Sequence, residues 1–185
     1  MLGKPATGRY AHGVTTIDLR TLRLRPGEVR KETLDVEIEP FVLGGQRYES
    51  VPATIPVELE ISQASGATVF DLRLGLHLTG ACMRCLGFAE LDRQVSAREF
   101  YDPDAPASDE LHSDYVVGDR LQVGAWARDA IALELPDQIL CRPDCAGLCP
   151  VCGKDLNVEP HEHLERDPDP RWAALEALRD ELDVR

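Results

Sequence analysis

The chain has 185 residues, of which 43% are hydrophobic and 5% aromatic, and its formal net charge is −13 at pH 7. This length suits one domain, with or without an appendage. No apolar run is long enough for a membrane helix, and the first 13 residues lack the apolar centre of a signal peptide, so we expect a soluble cytoplasmic protein. The acidic balance argues against non-specific nucleic-acid binding by the whole surface, because phosphates are bound by Lys and Arg.

The charge is distributed unevenly along the chain. Residues 1–31 contain seven basic and two acidic residues, whereas residues 32–185 contain 13 basic and 31 acidic ones. Such asymmetry fits either a basic segment that contacts RNA or a solvated polar face. The residues of the candidate RNA-binding segment are Arg20, Arg23, Arg25, Arg30 and Lys31.

Alternating apolar and polar residues predict a β-rich body. Residues 15–25 fit a strand or a short helix, and residues 29–41 alternate as in a half-buried strand. The clearest hairpin joins residues 51–61 to residues 69–79 through a tight turn, and residues 86–100 follow as a returning strand.

Two helices are predicted in the second half of the chain. Asp119 is a suitable N-cap for a long helix whose apolar residues recur at helical spacing from Val123 to Leu135, and Pro136 ends it. Asp169 and Pro170 are suited to open a second, amphipathic helix. Between the last predicted strand and the first helix, residues 101–114 predict an acidic loop.

The cysteines form the most informative pattern. Cys82-Met-Arg-Cys85 and Cys149-Pro-Val-Cys152-Gly153 each have the spacing of a zinc knuckle, and Cys141, Cys145, His161 and His163 complete the set. In the cytosol thiols stay reduced, so these spacings favour metal over disulfides. A thioredoxin-like redox motif would need a C-x-x-C that opens a helix after a strand, which neither pair shows.

Eight candidate ligands predict two Zn²⁺ ions, with a single ion as the alternative. The division that we favour, because it closes the shortest loop, keeps the last pair of cysteines with the histidines. It places Cys82, Cys85, Cys141 and Cys145 in a first site and Cys149, Cys152, His161 and His163 in a second site. The rival division joins the two C-x-x-C pairs.

Charge also favours this division. Zinc held by four thiolates carries a net charge of −2 and needs positive company, whereas zinc held by two thiolates and two imidazoles is neutral. Arg84 and Arg142 lie within the sequence of the first site and are expected to offer N–H groups to its sulfurs.

The motifs of common enzymes are missing from the sequence. A zinc deaminase needs H-x-E ahead of P-C-x-x-C, and the chain has no such arrangement, no phosphate-binding loop and no dinucleotide fingerprint. We therefore expect a protein that is not an enzyme. Exposed zinc knuckles also fit a regulator that releases metal when its thiolates are oxidised.

These elements predict an α+β fold, with an antiparallel β-rich body, a long helix, a zinc-binding Cys/His segment and a C-terminal helix. The predicted regions are a disordered lead at 1–13, the body at 14–135, the Cys/His segment at 136–168 and an amphipathic helix at 169–185.

Two motifs together carry a family resemblance. Gly80-Ala-Cys-Met-Arg-Cys-Leu86 and Asp144-Cys-Ala-Gly-Leu-Cys-Pro-Val-Cys-Gly-Lys-Asp-Leu-Asn157 resemble those of the YceD-like family, the large ribosomal RNA subunit accumulation proteins. The likeness extends from about Ile17 to the terminal Asp-Pro-Arg-Trp segment. The chain departs from the family at His161-Glu-His163, where related sequences commonly have Cys-x-Cys.

The resemblance implies a non-enzymatic role in large-subunit rRNA accumulation during ribosome assembly. The implied partners are ribosomal RNA or a large-subunit precursor particle, and the acidic body would also complement a small basic ribosomal protein. A thiol- or zinc-responsive regulatory protein is the alternative.

Overall fold

The fold was taken from a computed structural model that describes residues 15–22, 24–25, 27–64, 66–106 and 112–163. Contacts divide the chain into two compact units, Met1–Cys145 and Ala146–Arg185. In chain order the first unit contains β1 (Thr16–Asp18), a 3-10 turn (Leu19–Thr21), β2 (Val29–Glu37), β3 (Phe41–Leu43), β4 (Gln46–Ser50), β5 (Thr54–Ala64), β6 (Ala67–Ala81), β7 (Phe88–Tyr101), β8 (Val116–Val117), β9 (Arg120–Gln122) and α1 (Val123–Glu134).

The main sheet is antiparallel and is organised around β6. One edge of β6 pairs with β7 along its whole length, from Thr68 opposite Tyr101 to Ala81 opposite Phe88. The other edge pairs first with β5 and then with β4, and these strands continue the sheet to β2 and β3 respectively. A small second sheet has the order β1-β9-β8. The prediction of an antiparallel β-rich body with a helix is therefore confirmed.

The core lies between the inner face of the main sheet and α1. Alternate residues of β5 and β6, such as Leu59 and Leu72, are fully buried, and Trp126 of α1 packs into the same cluster at 2% exposure. Burial of large apolar side chains at about 25 cal/mol per Å² is the main force that holds such a layer to its helix. Cys82 and Cys145 also belong to this cluster, so the core extends to the cysteine motifs.

The structure corrects the expected N-cap of α1 and adds strands that the sequence did not predict. Asp119 does not cap α1: it lies at φ 61° beside Gly118 at φ 56°, in the turn between β8 and β9, and Gln122 is the N-cap. Left-handed residues at both turn positions suit a tight hairpin, and the short strands of this hairpin carried too few residues to show a period. The predicted long helix corresponds to α1, which has 12 residues. The strand β4 was missed because its five residues directly follow a turn.

The predicted C-terminal helix lies outside the described residues, as do the lead at 1–13 and residues 107–111 of the acidic loop. Within the part of the chain that the structure describes, no helix is both long and apolar enough to cross a membrane.

Candidate metal centres

The first cysteine cluster joins the β6–β7 turn to the segment after α1. It contains Cys82, Cys85, Cys141 and Cys145, whose sulfur atoms all lie within 4.8 Å of one another. Cys82 directly follows β6, and its backbone N–H donates to the Gly87 carbonyl at 2.7 Å, which closes the turn. The segment from α1 is anchored there because Met83 N–H donates to the Ile139 carbonyl at 3.0 Å.

The sulfur separations fit a tetrahedral metal site. Cys82 Sγ lies 3.8 Å from Cys145 Sγ, and Cys85 Sγ lies 3.6 Å from Cys141 Sγ. A disulfide would need about 2.05 Å, and none of the cysteines forms one. Four sulfurs at 2.3 Å from a central zinc would be about 3.8 Å apart. The donor set and these two separations therefore fit Zn²⁺.

The four thiols of this cluster differ in how easily they ionise. Burial opposes ionisation of Cys82, but the backbone N–H groups of Cys85, Cys141 and Arg84 point at its sulfur and lower its pKa to about 6. Although Cys141 is exposed as a residue, desolvation of its sulfur, followed by the neighbouring thiols, raises its pKa to about 12. A bound cation would stabilise all four thiolates, so the cluster suits a metal better than it suits four free thiols.

Arg84 supports this cluster in an unexpected way. Its backbone N–H lies 3.4 Å from Cys82 Sγ, as in a zinc knuckle. Its guanidinium donates to the Gln138 side chain at 3.2 Å and to the Cys145 carbonyl at 3.1 Å. The side chain thus ties together the two segments that supply the ligands, and such supporting contacts orient metal ligands. Arg142 forms an ion pair with Asp144 at 3.3 Å.

The second cluster lies wholly in the second unit. It contains Cys149, Cys152, His161 and His163, whose candidate ligand atoms also lie within 4.8 Å of one another. The Cys149–Gly153 turn closes through Gly153 N–H to the Cys149 carbonyl at 2.8 Å, with Gly153 at φ 74°. This left-handed conformation favours glycine. The N–H groups of Cys152 and Val151 point at the Cys149 sulfur and lower its pKa to about 6, although burial opposes this.

The orientation of His161 suits a metal ligand. Its Nδ1 lies 2.7 Å from the Glu159 carbonyl, which can only accept, so Nδ1 carries the proton. In the neutral ring the lone pair is then on Nε2, which faces Cys152 Sγ at 3.1 Å. The Glu159 carbonyl, followed by the Cys149 thiolate, raises the pKa of His161. The His163 ring packs edge to face against the His161 ring, with 4.9 Å between the ring centroids.

The two clusters have the same membership as the two sites favoured by the sequence, and the rival division does not match them. The structure supports two sites that could hold a metal; the identity of the metal as zinc, and the ligand role of each residue, stay predictions.

Four of the five candidate RNA-binding residues lie within the described residues, where they are exposed, and three of them have acidic neighbours. Arg20 pairs with Asp18 at 2.7 Å, and Arg30 pairs with Glu32 at 2.6 Å. Lys31 pairs with Glu60 at 2.6 Å. Arg25 is exposed, and Arg23 lies outside the described residues. An RNA-binding role for these residues stays a prediction.

Sequence reasoning missed the groups that support the ligands. Gln138 and the carbonyls of Ile139 and Glu159 carry no motif, because their roles depend on backbone position and not on residue type. Gly80 was detectable, since a glycine two residues before Cys82 breaks a strand pattern. A Cβ there would collide with the Tyr48 ring and lie 2.8 Å from the Arg47 carbonyl.

Comparison with known proteins identifies one matching family and several related proteins. A family model described as "Large ribosomal RNA subunit accumulation protein YceD" matches residues 70–179. An uncharacterized protein of Mycobacterium tuberculosis is 32% identical over 97% of this chain and 89% of its own length. An uncharacterized protein of Mycobacterium leprae is 30% identical over 91% and 79%. The uncharacterized protein YlbN of Bacillus subtilis is 31% identical over 59% and 64%. No solved structure matches the chain.

Proposed function

The chain belongs to the family of the large ribosomal RNA subunit accumulation protein YceD, and from that premise we propose that it supports large-subunit rRNA accumulation as a non-enzymatic, zinc-binding assembly factor. The observation that carries the proposal is the combination of family membership with two clusters of four ligands each. Closed four-ligand zinc sites are structural, whereas catalytic zinc keeps one position for water.

Zinc has a scaffolding role in this proposal. In the first cluster, it would fix the β6–β7 turn to the segment after α1. In the second cluster, it would hold a segment that, among its described residues, has only one isolated β-bridge, between Leu148 and Asp155. Such segments usually fold only with their metal. The ordered turns would then present a defined surface to a partner.

The proposed partner is ribosomal RNA or a large-subunit precursor particle. The acidic part of the chain, with 31 acidic against 13 basic residues over 32–185, is complementary to a small basic ribosomal protein. The region around residues 20–31 supplies an RNA contact in this proposal, although three of its cations are paired with acids.

Sedimentation of the tagged protein in cell lysate, at low and moderate salt, tests this role. We expect co-migration with large-subunit precursors that weakens as salt rises, because phosphate contacts release counterions. The variant R25Q/R30Q should reduce co-migration and the salt dependence, whereas R93Q, which removes a cation from β7, should not. Migration as a small free protein at both salts would contradict the proposal.

A thiol- or zinc-responsive regulator is the second candidate, favoured by one observation. Cys141 and Cys152 are exposed, so one cysteine in each cluster is accessible to an oxidant. Mild peroxide should then release metal from the native protein while rRNA levels stay independent of the chain. Retention of the metal under peroxide would exclude this candidate.

A further inference from the structure

The strand β7 has one paired edge and one open edge. Among the described strands it pairs only with β6, over an unbroken register from Thr68 opposite Tyr101 to Ala81 opposite Phe88. It contains no proline. Among the described residues, no backbone hydrogen bond joins β7 to any other segment. Long, regular open edges are templates for pairing with another strand, and proteins usually cover or interrupt them.

The backbone groups on this open edge can be assigned. Cys82 N–H donates to the Gly87 carbonyl, so Cys82 and Gly87 form a hydrogen-bonded pair at the start of the ladder. Hydrogen-bonded and non-hydrogen-bonded pairs alternate along an antiparallel ladder. The odd-numbered residues of β7 therefore bond to β6, and the even-numbered residues direct their N–H and C=O groups to the open edge.

The same even-numbered residues have exposed side chains on the outer face of the sheet. They are Phe88, Glu90, Asp92, Gln94, Ser96, Arg98 and Phe100. Two of them are large apolar residues at opposite ends of the strand: Phe88 is 68% exposed and Phe100 is 41% exposed.

We propose that this edge binds a second copy of the chain, with the two β7 strands antiparallel and Gln94 opposite Gln94 across a two-fold axis. This register places Phe88 opposite Phe100 and Glu90 opposite Arg98, and symmetry repeats both pairs. Every pair joins two even-numbered residues, so the open N–H and C=O groups of both copies meet. The two main sheets become one continuous sheet, and each surface is complementary to itself, as a two-fold interface requires.

Side-chain pairing selects this register over its neighbours. A shift in either direction that keeps even residues opposite one another places Glu90 opposite Ser96 or Phe100, and each phenylalanine loses its aromatic partner. Aromatic and opposite-charge cross-strand pairs stabilise a sheet by roughly 0.2–1 kcal/mol each. Glu90 has no ion pair within the described residues, whereas Arg98 contacts Asp71 at 2.7 Å on the outer face. Arg98 would thus lie between two carboxylates.

Cysteine cross-linking tests the register directly. Paired Cα atoms at Gln94 would be about 5.5 Å apart, within the reach of a disulfide. Under mild oxidation of the zinc-loaded full chain, we expect Q94C to form a covalent dimer on non-reducing gels, above the background of the parent chain. The matched control is S96C, on the same exposed face, because its two copies would be separated by about 14 Å.

A mixture of D92C and S96C chains provides a second test of the register. Asp92 lies opposite Ser96 in the proposed pairing, so the mixture should cross-link while each variant alone does not. Equal cross-linking of S96C alone and Q94C would overturn the register.

The dimer itself is tested by sedimentation equilibrium of the parent chain at micromolar concentration. We expect twice the 20.5 kDa mass of one chain. Q94P should give a monomer: its N–H faces the open edge, so proline there removes no bond to β6. An unchanged circular dichroism spectrum of Q94P would show that the fold is intact. A monomeric parent chain would overturn the proposal, as would a dimeric Q94P. These results do not depend on metal content or on ribosomal association.

Discussion

The two clusters contain equal numbers of candidate ligands but have different structural support. In the first, Cys82 and Cys145 are 0% and 1% exposed and belong to the hydrophobic core of the main sheet. In the second, the described segment has no strand beyond a single bridge, and three of its four ligands are at least partly exposed. The comparison teaches that a bound metal would join segments of an existing fold in the first cluster and would take the place of a core in the second.

Removal of metal should produce the largest difference between the clusters. Structural zinc contributes about 10–16 kcal/mol to small metal-bound segments, so chelation should unfold the second cluster while the main sheet persists. Hydrogen exchange should show loss of protection at the amides of Cys149, Gly153 and Leu156, which donate to nearby carbonyls. The amides of β5 and β6 should stay protected. Added zinc should restore the lost protection, and parallel loss in both regions would contradict the comparison.

Substitution of one candidate ligand in each cluster should sharpen the comparison between the clusters. C145S removes a ligand that lies in the core and leaves a hydroxyl there, so we expect the main sheet to lose about 2–4 kcal/mol of unfolding free energy. C152S removes an exposed ligand, and the sheet should change by less than about 0.5 kcal/mol. Denaturant unfolding followed by the circular dichroism of the sheet would measure both. Equal effects would show that the sheet depends on the second cluster.

Acid should empty both clusters. Metal ligands must be deprotonated, and the pKa values of Cys82 and Cys149 are lowered to about 6. Below about pH 6 protons compete with the metal for both sulfurs, so we expect the zinc affinity of both clusters to fall and zinc release to occur at pH values below 6. A chromophoric chelator would follow zinc release against pH. Release that begins above neutral pH would contradict these pKa values.

The smallest expected effect is a loss of stability where β4 packs closely against β6. G80A would place a methyl group against the Tyr48 ring and the Arg47 carbonyl, and such overpacking costs about 1–3 kcal/mol. G75A is the matched control on the same strand, because its Cβ would meet only the end of the Gln94 side chain, at 3.1 Å. Thermal unfolding should show a lower Tm for G80A than for G75A. A lower Tm for G75A would contradict the assignment of Gly80 as the tight contact.

The sequence was informative where residue type decides structure. Alternation located β5, β6 and β7, and thiol spacing grouped the eight candidate ligands as the structure does. The sequence was uninformative where the place of a residue in the fold decides its role. Asp119 has the chemistry of an N-cap but lies in a hairpin turn. Likewise, Arg84 was expected to offer N–H groups to sulfur, and its backbone N–H does so, but the binding of its guanidinium to Gln138 and the Cys145 carbonyl carries no sequence signal.

The central claim, two separate structural zinc sites, is tested most directly by native mass spectrometry of the chain purified without chelator. The parent chain should carry two zinc ions, and C85S and H163A should each carry one. In H163A the remaining ion should be held by the first cluster, so the double variant C85S/H163A should carry none. A parent chain with one zinc ion, or a single variant that loses both, would contradict two independent sites.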